Sequence, residues 1–137
     1  MNTWTIGQAE RERLCVAVLS RPTEDEGYDW VSAKESIQVG GFHGEVSLTI
    51  TLSDMVRFAQ QLRSLYESLK VGAEFRTIED QLYIKLATDR LGHIAGTGHL
   101  MDQAGTGNRL EFRLELDQSF LRSTLTELDK VIEAARK

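Results

Sequence analysis

A chain of 137 residues is long enough to bury most of its apolar surface as one domain, 1–137, without disulfides or metals. Its 21 acidic and 16 basic residues leave a formal charge of −5 at pH 7, which argues against nucleic-acid phosphates or an anionic membrane and favours a cationic protein surface. Cys15 is the only cysteine, no segment has signal-peptide or membrane-helix character, and the expected location is the cytoplasm.

In chain order, RLCVAVL at 13–19 is apolar at both parities, as in a strand covered on both faces. RPTEDEG at 21–27 reads as an exposed loop holding Glu24, Asp25 and Glu26. Residues 29–39 resume as a strand with Val31, Ala33, Ile37 and Val39 at one parity and Glu35 among them, a conflict that predicts a bulge or an edge position. Glycines 40, 41 and 44 then supply a turn into an antiparallel strand beginning at Glu45.

Within residues 44–70 the apolar period changes from two to nearly four. Val46, Leu48, Ile50 and Leu52 alternate as a strand; Phe58, Leu62, Leu65 and Leu69 then recur as a helical stripe, with Ser53 the expected N-cap. Short strands follow at 72–77 and 81–87, with Glu79 and Asp80 in the turn between them. Asp89, Arg90 and Gly92 form the next turn, and HIAGTGHLM at 93–101 the next strand, with Gly96 and Gly98 beside Ile94 and Leu100.

Residues 108–135 repeat the strand-to-helix switch. Leu110, Phe112, Leu114 and Leu116 alternate with Arg109, Glu111, Arg113 and Glu115, a polar face suited to cross-strand ion pairs. Asp117 caps a helix whose stripe is Phe120, Leu121, Leu125, Leu128 and Ile132. The two strands match at a constant offset and the two helices at an offset one residue shorter, so 44–70 and 108–135 suggest an internal repeat. The predicted fold is α+β: two successive antiparallel β-meanders, each ending in a helix packed on the sheet, with about seven strands and two helices.

No motif fixes a catalytic geometry. His93 and His99 stand about 20 Å apart along an extended strand, too far to share one metal, so neither metal nor cofactor is expected. Gly105 and Gly107 lead into a strand, not a helix N-terminus, and read as a turn, not a phosphate loop. Asp89, His93, His99 and Asp102 form a ligand or acid-base constellation only if the fold gathers them over a pocket floored by Gly96 and Gly98. The protein-binding candidates are Glu24, Asp25, Glu26, Asp29 and Trp30, with Glu79 and Asp80 as a second patch.

From Asp29 to Ile132 the chain resembles the WapI-like immunity proteins of bacteria. The matching stretches are Asp29 and Trp30 after an acidic loop, the strand-to-helix unit at 46–69, LGHIAGTGHL at 91–100 and GNRLEFRLELDQSFL at 107–121. The first stretch departs, with YDW in place of a longer Asp-Ala-Asn-Trp-like string. The resemblance implies a non-enzymatic cytoplasmic protein that binds a toxin domain, often a nuclease, and it transfers no catalytic residue. Two other readings follow from the residues: a ligand-binding or enzymatic pocket at the glycine-bearing strand, and a structural homo-oligomer.

Overall fold

The computed structural model describes residues 2–8, 11–89 and 91–137, so Arg90 of the expected turn lies outside the described residues. Nine strands and two helices are present among them. The first sheet holds β1 (Asn2–Gln8), β2 (Glu12–Val18), β3 (Thr23–Asp25), β4 (Tyr28–Val39) and β5 (Phe42–Thr51). β4 is its spine: β5 pairs along one edge, while β2 and β3 share the other, end after end, and β1 flanks β2. Helix α1 (Leu52–Ser68) leads to the second sheet, the meander β6 (Ala73–Arg76), β7 (Leu82–Thr88), β8 (His93–Met101) and β9 (Arg109–Asp117), which ends in α2 (Gln118–Ala135). All pairings are antiparallel.

The expected α+β architecture is therefore present, with two strands more than the periodicity shows. β1 was hidden because only Trp4 and Ile6 mark its buried face, between polar neighbours. β3 was hidden because all three of its residues are exposed; the expected acidic loop is a hairpin arm. β2 is internal, but Cys15 and Ala17 are only half-buried, so just one of its faces is fully covered.

At the glycine turn, Val39 pairs directly with Phe42, so a two-residue Gly40–Gly41 loop closes the hairpin and β5 begins before Glu45. The cap of α1 is Thr51 and not Ser53, because β5 runs to Thr51 and Leu52 is already helical. The Thr51 hydroxyl accepts from the Asp54 amide at 3.0 Å and the Asp54 carboxylate accepts from the Thr51 amide at 3.3 Å, a closed capping box. Leu69 is not in the buried stripe; it takes φ 53° and ends the helix. Asp117 occupies the N-cap of α2 with extended backbone but no side-chain cap bond, and the Gln118 amide donates to the Gly92 carbonyl. Along β9, Arg109 pairs with Glu111 on the same strand, while β8 places uncharged Ala95 and Thr97 opposite Glu115 and Arg113.

One apolar cluster joins both sheets and both helices. At its centre Trp4 of β1, Phe58 of α1 and Phe75 of β6 meet with ring centroids 5.4 to 5.8 Å apart, mostly edge-on. The helices also cover sheet edges. On β1, the Thr5 amide donates to Glu127 and the Thr5 carbonyl accepts from Thr124, both on α2; on β6, the Glu74 amide donates to Gln61 of α1. Glu35 overturns the expected bulge or edge: the pairings of β4 run through it unbroken, opposite Val16 and Val46, and its side chain is wholly buried.

Candidate functional site

The acidic segment and Trp30 belong to the β3–β4 hairpin. Its two-residue loop is Glu26 and Gly27, both at positive φ (51° and 85°), as a type I′ turn requires. Strand alternation then divides the acids. Asp25 lies opposite Tyr28 and Thr23 opposite Trp30 on one face, while Glu24 and Asp29 pair on the other. Asp29 there borders a separate depression beside Arg57 and Arg136. The Trp30 indole N–H donates to the Asp25 carbonyl at 3.2 Å, and the Tyr28 and Trp30 rings lie 5.4 Å apart. A short hydrogen-bonded arm thus presents two aromatic rings and one carboxylate together.

Gln81 brings the second patch to the first. Buried where the sheets meet, its amide nitrogen donates to the Ser47 carbonyl of β5 at 2.9 Å and to the Met101 carbonyl of β8 at 3.0 Å. Thr77, also buried, accepts from the amides of Gln81 and Leu82 and sets the turn from β6 to β7. Held in this way, the turn carries Glu79 against β5, and Thr23, Asp25, Trp30, Thr49 and Glu79 line one open depression of about 330 Å³. Ile78 beside it is about half exposed, as is Tyr28. The result is an open depression with the Trp30 ring beside two acidic residues, Asp25 and Glu79.

Asp80 is not part of that rim. It takes φ 58° in the turn, its carboxylate is 2.6 Å from the Arg76 guanidinium, and its carbonyl oxygen lies 2.9 Å from His99 Nε2. Gln81, Thr23, Thr49 and Tyr28 escaped the sequence reading. Only Tyr28 left a signal, two residues before Trp30 and so on the same strand face.

The glycine-bearing strand does not gather His93, His99 and Asp102. His93 is exposed at one end of β8, beside the turn in which Asp89 accepts from the Leu91 and His93 amides. Those bonds, Leu91's foremost, hold the Asp89 carboxyl below its usual range. His99 is buried near the other end, against the Tyr83 ring. Asp102 is engaged with the side chain and amide of Asn108, which lower its pKa. Gly98 faces the Phe112 ring and the Tyr83 carbonyl, and Gly96 faces Leu86 and Leu114, so both serve close packing. Among the described residues no group of three or more His, Cys, Asp and Glu side chains is arranged to hold a metal ion. The larger depression between α1 and the β6–β7 pair, about 560 Å³, has no aromatic wall, and its Gln61 is committed to the β6 edge.

Compared with known proteins, residues 5–136 match the family described as the immunity protein WapI-like family, nearly the whole chain and more than the stretch from Asp29 to Ile132 that carries the resemblance. No curated protein matches.

Proposed function

We infer the role of this protein from one premise: the chain belongs to the immunity protein WapI-like family, and immunity proteins act by binding a toxin and neutralising it. The proposed partner is the toxic domain of a secreted or contact-delivered bacterial toxin, met in the cytoplasm. The face offered to it is the depression around Trp30. Neutralisation proceeds by occlusion without catalysis. The family match over residues 5–136 carries this reading.

Physical chemistry supports a basic partner, such as a nuclease domain whose own surface must attract phosphates. A net charge of −5 steers a cationic domain towards this protein, and Asp25 and Glu79 set negative charge around an aromatic anchor. The carboxylates a catalytic reading would use, Asp89 and Asp102, are kept ionised by turn hydrogen bonds, which suits structure better than proton transfer.

The test is capture from the native host, with the tagged protein as bait, followed by association kinetics on the captured toxin domain. A stoichiometric complex is expected, and Asp25→Lys with Glu79→Lys should slow association and flatten its salt dependence. Unchanged kinetics would remove this face from the interface, and absence of any toxin complex would overturn the immunity reading.

A further inference from the structure

We propose that the depression at Trp30 is a socket for a single arginine side chain of the partner. The inference rests on the immunity reading for the existence of a partner, and on the geometry of the depression for its chemistry. Two acidic residues from different parts of the fold, Asp25 of β3 and Glu79 of the β6–β7 turn, line it together with Trp30, Thr23 and Thr49. Among the described residues no basic side chain lines it, and neither carboxylate forms an ion pair. At about 330 Å³ it lies at the small end of ligand sites, a size suited to one long side chain.

The protein builds a closed version of the same arrangement a few residues away. Arg76 lies 4.0 Å above the Tyr83 ring while its guanidinium meets the Asp80 carboxylate at 2.6 Å. There the aromatic face and the carboxylate already have their arginine. At Trp30 the same two ingredients are present, with a second acidic residue, and among the described residues no arginine fills them. A guanidinium fits better than an ammonium: it is planar, weakly hydrated, stacks on an indole and offers five donors to carboxylate and hydroxyl acceptors. The indole is held for this, since its N–H is tied to the Asp25 carbonyl.

NMR titration of the intact protein with the tripeptide amides Ac-Gly-Arg-Gly-NH2 and Ac-Gly-Lys-Gly-NH2 tests the socket. The Trp30 indole N–H is the reporter, and the wholly buried Trp4 is the internal control. A saturable shift of Trp30 in the millimolar range is expected with the arginine peptide. The lysine peptide should bind more weakly by on the order of three-fold, the size of a cation–π preference at an exposed site. Asp25→Asn with Glu79→Gln, whose spectra report retained folding, should abolish the shift. Equal response to both peptides, no Trp30 response, or persistence of the shift in the double variant would each overturn the socket. Those results leave toxin capture untouched; conversely, arginine binding without toxin capture would keep the socket and remove the immunity role.

Discussion

Trp4 and Glu35 lie in one row across the first sheet, on the same face, with Val16 between them, and among the described residues each buries a polar group that finds no partner. The indole donor and the carboxyl acceptor are two strands apart, so neighbouring inter-strand spacings put their Cα atoms about 10 Å from each other. Burial alone pushes the Glu35 carboxyl well above its ordinary value, which favours its neutral form in the folded protein.

That burial makes stability depend on pH with a definite sign. The folded pKa of Glu35 is raised, so its contribution is complete below the ordinary carboxylate value of 4.5 and is lost as pH rises towards the folded value. Glu35→Leu should therefore be more stable than the parent at pH 7, by about 1–3 kcal/mol, the cost of a buried carboxyl without a hydrogen-bond partner. The gap should widen with pH by up to about 1.4 kcal/mol per unit across that window. Urea unfolding of both proteins from pH 5 to pH 8 measures it; a constant gap would mean that Glu35 is already ionised in the native state.

The hairpin carrying the site contains a strained residue. Glu26 sits at φ 51° beside Gly27, where asparagine is favoured and most residues are not. Glu26→Asn should raise stability by roughly 0.5–1 kcal/mol, a gain seen as a higher melting temperature. A lower melting temperature would show that the Glu26 side chain contributes more than its backbone costs.

Gln81 is the residue on which the site's geometry depends. Gln81→Leu leaves the Ser47 and Met101 carbonyls without their donor and should cost about 1–3 kcal/mol. It should also weaken partner binding, because Glu79 loses its anchored turn. Chemical denaturation gives the first number; full affinity in a variant that still folds would refute the second.

Two strand glycines, Gly98 of β8 and Gly44 of β5, should respond very differently to an added methyl. At Gly98 an added methyl would overlap the Tyr83 carbonyl and lie 2.8 Å from the Phe112 ring, whereas at Gly44 it would meet nothing. Gly98→Ala should cost about 3 kcal/mol or prevent folding, and Gly44→Ala should be close to neutral or mildly stabilising. Thermal melts of the pair decide the matter, with equal effects ruling out the packing role of Gly98.

The elements written in periodicity were legible: both strand-to-helix units, the meander from β6 to β9, and the helical stripes through Leu65 and Ile132, though not that Leu69 ends its helix instead of extending the stripe. Each of these is encoded by neighbours in the chain, since one oily face per element is a local pattern. Trp30 and the acidic segment were visible as well, but not which of the acids share a face with the ring, because a two-residue turn at Glu26 sets that register.

By its sequence alone this chain determined its α+β class, its acidic balance and its family resemblance. Only the tertiary structure decided that Glu35 is buried in a central strand, that β1 completes the core through Trp4, and that Glu79 stands beside Trp30. Those facts concern residues distant along the chain, and they depend on how two sheets meet through Gln81. No local period records where one sheet will rest against another.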